Sequence, residues 1–105
     1  MVDADFTLIH AGQLLCIDGD GARPGPRRGV DLAALDLITD GAVAARNGTI
    51  VWVGPTDGLL SAVRRTSGCT SIDAAGRVVT PGLIDAHTHP VFAATRPAEF
   101  AMRAE

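Results

Sequence analysis

Two of the chain's three histidines stand one residue apart in "VTPGLIDAHTHPVF", residues 79–92, with Asp85 two positions before the first. In a strand, side chains alternate between faces with a period of two. Read that way, Asp85, His87 and His89 project to one side and Ile84, Ala86 and Thr88 to the other. Two neutral imidazoles at i and i+2 reach a single cation, and their nitrogens suit zinc or iron. His87 and His89 are therefore the candidate metal ligands. Two surface histidines at a strand end would show the same spacing, so spacing alone carries little. The surroundings add to it: an apolar Gly-Leu-Ile run, an acidic residue on the histidine face, a Pro81-Gly82 entry and a Pro90 exit. His10 is the contrast. It stands alone, makes no site, and reads as structural or solvent-facing.

The elements that must position this pair are short. "DFTLIHAGQLLCI" reads as two strands, residues 6–10 and 13–17, joined through Ala11-Gly12. "DGDGARPGPRRG" (18–29) is a Gly-, Pro- and Asp-rich surface loop. Its Asp-Gly repeats lack the spacing and terminal Glu of a calcium loop. Residues 42–46 and 49–53 flank Asn47-Gly48, a strong two-residue hairpin signal because both central positions need positive φ. Leu59, Leu60 and Val63 give helical spacing behind Thr56 and Asp57, a short helix. Strands follow near residues 70–73 and 77–80, turning at Ala75-Gly76. Pro97 and Glu99 then open a second helix that has no stop signal before Glu105. The fold class expected is mainly β. Residues 1–80 form a small β-sandwich-like or barrel-like domain, and residues 81–105 form a second unit that breaks off in mid-element, as in a fragment of a longer protein.

The bulk composition narrows the function. The chain has 105 residues, 47% of them apolar, enough for one small core and too many for disorder. A net charge of −3, with every basic residue an Arg, gives no reason to expect nucleic acid or an anionic membrane. Cys16 and Cys69 lie far apart and read as buried thiols, with no Cys-x-x-Cys pair. The N-terminus lacks the basic region of a signal peptide, and no apolar stretch reaches membrane-spanning length. A soluble, cytoplasmic protein is expected.

At "VVTPGLIDAHTH" the sequence resembles the amidohydrolase superfamily of metal-dependent hydrolases. "NGTIVWVG" and "IDAAGRVVTPG" resemble the small β-domain that accompanies its barrel. The next residues, "HTHPVFAATRPAEFAMR", are similar to the imidazolonepropionase family at Val91, Phe92, Arg96, Glu99, Phe100 and Arg103, with Ala93 and Ala94 where the family often has Gly. The resemblance implies that residues 83–89 are the first strand of a (β/α)8 barrel. It implies that His87 and His89 bind one divalent or trivalent metal ion, zinc or iron. It also implies that Arg96 binds the propionate carboxylate of the small-molecule substrate, 4-imidazolone-5-propanoate. An Arg fork matches a carboxylate bidentately, which supports that assignment on chemical grounds. Glu99 and Arg103, spaced i and i+4, read as a structural pair, and Asp85 as a partner that orients the site rather than a ligand.

The implied activity is hydrolysis of that substrate to N-formimidoyl-L-glutamate in histidine degradation. The remaining ligands and the proton-transfer residues are expected beyond residue 105. A barrel needs roughly 200 residues, so the chain by itself is expected to be inactive. A homodimer of the full-length form stays open. Two other readings are kept. One is another amidohydrolase, such as a cyclic amide hydrolase, a deacetylase or a nucleobase deaminase. The other is a non-catalytic β-rich binding domain.

Overall fold

The computed structural model describes residues 1–17, 26–89, 91 and 97–103. It is mainly β, as the sequence leads one to expect. Five strands form one sheet: β1 (Val2–Leu15), β2 (Leu37–Arg46), β3 (Thr49–Pro55), β4 (Val63–Asp73) and β5 (Val78–Val79). A single helical turn, α1 (Leu59–Ala62), precedes β4, and α2 (Pro97–Arg103) follows the sheet. The strand order is β3-β2-β1-β4, with β5 also on β1.

The β2–β3 hairpin forms where Asn47-Gly48 requires it. Asn47 has φ 50° and Gly48 φ 77°, the left-handed pair that matches the twist of the flanking strands. The backbone N–H of Asn47 is also held by the Asp5 carboxylate at 2.9 Å.

Neither Ala11-Gly12 nor Ala75-Gly76 makes a hairpin, although Ala75-Gly76 does form a turn, closed by the Arg77 N–H on Ala74 O at 3.0 Å. The break at Ala11-Gly12 lies inside one long strand, because both halves of β1 bond to the same neighbour, β2. Its register shifts between Leu8 and Ala11, where His10 takes φ 55°, so the irregularity is a bulge. The Ala75-Gly76 step does not reverse the chain either. β4 and β5 both run parallel to β1, and Ala75-Gly76 is a jog between them. The jog is pinned to β1 by backbone bonds from Ala74 N to Ile9 O (2.8 Å) and Gly76 N to His10 O (2.9 Å).

The sheet has two unlike faces. Cross-strand partners Ala44 and Trp52 lie on one, under α1, and the neighbouring pair Val43 and Val53 lies on the other. On the first face Leu59 packs with Ala4, Ala44 and Val63. Leu59 is 2% exposed, and burying such a side chain contributes about 1.5–3 kcal/mol. Thr7, fully buried, satisfies its hydroxyl on Ser71 Oγ at 3.0 Å. On the second face Phe6, Leu8, Val43, Ile50 and Val53 line an open apolar concavity of about 740 Å³.

The thiols are only half-buried, not buried as expected. Cys16 borders the concavity, where partial burial and then the Asp36 carboxylate raise its pKa. Asp3, at the start of β1, takes Arg64 Nε at 2.6 Å and Arg46 Nη1 at 3.2 Å. It thereby ties together the ends of three strands. No described helix is long and apolar enough to cross a membrane.

Candidate metal centre

β5 ends at Val79, and Thr80, Pro81 and Gly82 leave the sheet along the rim of the apolar concavity. From there residues 83–89 run clear of the fold. Leu83 is fully exposed and Ile84 nearly so. The strand expected here is therefore corrected: the segment is irregular. Its sequence has the alternation of a strand, but a strand exists only where a neighbour accepts and donates its ladder bonds, and no described strand pairs with it.

The histidines nevertheless converge. His87 Nε2 and His89 Nε2 lie 3.0 Å apart, with ring centroids at 5.0 Å and ring planes at 36°. Direct contact of two imidazole nitrogens requires that one ring donate its N–H to the bare nitrogen of the other. Two imidazoles on one tetrahedral zinc, at the usual Zn–N length of 2.0–2.1 Å, place their nitrogens about 3.3 Å apart. The observed pair needs only a few tenths of an ångström of opening to reach that span. The donor set thus fits zinc or iron with two of its ligands. Among the described residues, no group of three or more His, Cys, Asp or Glu side chains gathers around one point.

Asp85 lies on neither ring. Its Oδ1 accepts the backbone N–H of His87 at 3.0 Å, so it shapes the chain that carries the histidines. The sequence marks Asp85 by its shared face, but this bond follows from a local turn that spacing alone does not announce. Arg96, expected to meet the substrate carboxylate, lies outside the described residues, as do Pro90 and Phe92. The second helix is where Pro97 and Glu99 place it, with Glu99 in the first turn and Arg103 in the last. His10 is exposed and sits 3.2 Å from Asp40, away from the other two histidines in sequence and on a different element.

No family model matches the chain. Individual relatives do, over nearly all of it. A protein named imidazolonepropionase from Solibacter usitatus is 48% identical over 103 residues, covering 97% of this chain and 23% of that protein. One of the same name from Symbiobacterium thermophilum is 44% identical over 98% of the chain. Another, from Chloroflexus aggregans, is 45% identical over 98%. In each case the chain spans 23% of the relative's length. A solved structure from Bacillus thuringiensis is similar at 24% identity and a TM-score of 0.48, and the assignment rests on the sequence matches alone. The 105 residues thus belong to the imidazolonepropionase family, matching about a quarter of the length of its members.

Proposed function

We propose that this chain supplies two metal ligands and one substrate-binding residue to a hydrolase that opens 4-imidazolone-5-propanoate to N-formimidoyl-L-glutamate. The observation that carries the reading is the convergence of His87 Nε2 and His89 Nε2 to 3.0 Å, in a chain 48% identical to a protein named imidazolonepropionase.

Both histidines would present Nε2, which puts the remaining ring proton on Nδ1 of each. One ring must then give up the N–H through which the two now meet. When bound there, a zinc or iron ion supplies Lewis-acid polarisation of a carbonyl and lowers the pKa of water. Arg96, a permanently charged fork, would hold the propionate carboxylate and so fix the ring relative to the histidines. Water adds across the ring C–N bond; the carbonyl carbon gains the hydroxyl and the departing nitrogen gains the proton. A catalytic zinc site takes three protein ligands and an open position, so residues outside this chain complete it. The reading places residues 1–80 in the small β-domain and residues 81–105 at the start of the barrel, in a cytoplasmic enzyme.

The test is a graft. This chain replaces the matching segment of the Solibacter usitatus relative, and metal content and hydrolysis of 4-imidazolone-5-propanoate are measured. The graft is expected to hold metal and turn over. His87→Ala with His89→Ala should remove the metal and lower kcat at least 100-fold, and Arg96→Ala should act mainly on KM. A folded graft whose metal content is unchanged by the double substitution would sink the reading.

A further inference from the structure

We propose that Asn47 is a deamidation site, and that it reacts within the closed β2–β3 hairpin without the strands parting. It is the chain's single Asn, and Gly48 follows it. The reaction is a cyclisation. The backbone nitrogen of Gly48 bonds to the side-chain Cγ of Asn47, the Cγ–Nδ2 bond breaks, and ammonia leaves with the proton that the Gly48 nitrogen gives up. The product is a five-membered succinimide, which water then opens. Cleavage at Cγ leaves Asp. Cleavage at the backbone carbonyl leaves isoaspartate, whose main chain runs through Cβ.

The turn geometry carries the proposal. In the ring, Cβ of Asn47 eclipses the Gly48 nitrogen about the Cα–C bond. Tetrahedral geometry at Cα then puts ψ of Asn47 at about −120°, the value at the first central position of a type II′ turn. The hairpin stands one peptide flip from that state. Asn47 at φ 50° and Gly48 at φ 77° are a type I′ pair. Types I′ and II′ share positive φ at the first central residue, differ by rotation of the peptide between the two, and both close two-residue hairpins. The ladder pairs Arg46 with Thr49, so the Asn47–Gly48 peptide lies outside it and turns over without breaking a strand bond. The Asp5 carboxylate holds the N–H of Asn47 at 2.9 Å, and rotation about ψ of Asn47 leaves that N–H in place. At Gly48 φ must change sign, and there is no Cβ to resist it. Among the described residues, nothing lies within 4 Å of where a Cβ on Gly48 would stand. Asn47 does carry a Cβ, so the flipped turn is the minor state, and the ring closes from it.

The two products differ in consequence. The Asp product keeps the hairpin, since Asp-Gly favours the same turn. Isoaspartate adds a carbon to the main chain inside a two-residue loop and puts Arg46 and Thr49 out of register.

The test follows loss of ammonia at Asn47 by peptide mass spectrometry in mildly alkaline buffer. The chain is incubated without urea, at urea concentrations below its unfolding transition, and fully unfolded. Near-ultraviolet dichroism of Trp52 reports native packing throughout. A peptide flip exposes little surface, so the native rate should stay within about twofold across the sub-transition urea series. Native Asn47 left intact while the unfolded chain is converted would overturn the proposal. So would a native rate that climbs steeply with urea, because the reaction would then wait for the strands to part. In the isolated isoaspartate product, the amides of residues 46 and 49 should exchange about tenfold faster than in the parent, and in Asn47→Asp within about twofold of it. Equal exchange in the isoaspartate product and Asn47→Asp would overturn the loss of register.

Discussion

Gly12 of β1 faces the carbonyl oxygen of Gly76 so closely that any Cβ on Gly12 would collide with it. The contact falls where β1 passes the jog between β4 and β5. Gly12 N bonds Arg77 O at 3.0 Å, and Gly76 N bonds His10 O at 2.9 Å. Backbone bonds on both sides leave the carbonyl little room to yield. Gly12→Ala should therefore cost about 2–3 kcal/mol, the upper range for overpacking a tight site. Gly82→Ala is the control, since nothing lies within 4 Å of its Cβ position, and it should stay within about 0.5 kcal/mol. Urea denaturation followed by Trp52 fluorescence measures both. An unchanged midpoint for Gly12→Ala would show that β5 does not lie against β1 here.

Asp3 gives the fold an acid limit. The hydrogen bond from Arg64 chiefly, with the nearby charges of Arg64 and Arg46, holds its carboxyl below the ordinary carboxylate value. A group whose folded pKa is depressed stabilises the fold above its unfolded pKa, and that contribution is lost as pH falls through the folded value. The parent should therefore be more stable than Asp3→Asn at pH 7, and the gap should close on acidification below about pH 4. Salt should narrow it as well, because the groups are exposed. Melting curves of the two proteins from pH 7 to pH 2 check this. A gap that is constant with pH would remove the ion pairs from the account.

How much of this was legible in the sequence depends on the range of the interaction that decides each feature. The hairpin at Asn47-Gly48 is decided by two residues' own φ preferences, and it is where the sequence places it. The α1 turn and the start of α2 are likewise local, set by helical spacing and by Pro97. The parallel pairing of β4 and β5 with β1 is not local. It joins Thr7 to Ser71 and Leu14 to Val79, and no turn signal at Ala75-Gly76 distinguishes a hairpin from a jog. Residues 83–89 show the limit from the other side. Their alternation is that of a strand, but alternation describes side chains, and a strand also needs a partner's backbone. The His87 and His89 types and spacing are legible, whereas the 3.0 Å approach of their Nε2 atoms is not, because it depends on backbone and side-chain torsions that spacing does not fix.

The apolar face opposite α1 should be detectable in solution. Phe6, Leu8, Val43, Ile50 and Val53 line a concavity of about 740 Å³. Ile50, on the edge strand β3, is 63% exposed, and Leu37, at the start of β2, is 51% exposed. Apolar side chains packed side by side on a sheet and left in water form the kind of contiguous patch that binds hydrophobic dyes. The native chain should therefore enhance 8-anilinonaphthalene-1-sulfonate fluorescence under conditions where near-ultraviolet dichroism of Trp52 reports intact packing. Ile50→Glu should cut that enhancement severalfold, because it puts a charge in the concavity. Leu60→Thr should leave it unchanged; Leu60 is 72% exposed but sits on α1, over the opposite face. Dye enhancement that is absent in the native chain, or equal in both variants, would mean that this face is covered in solution or that the dye binds elsewhere.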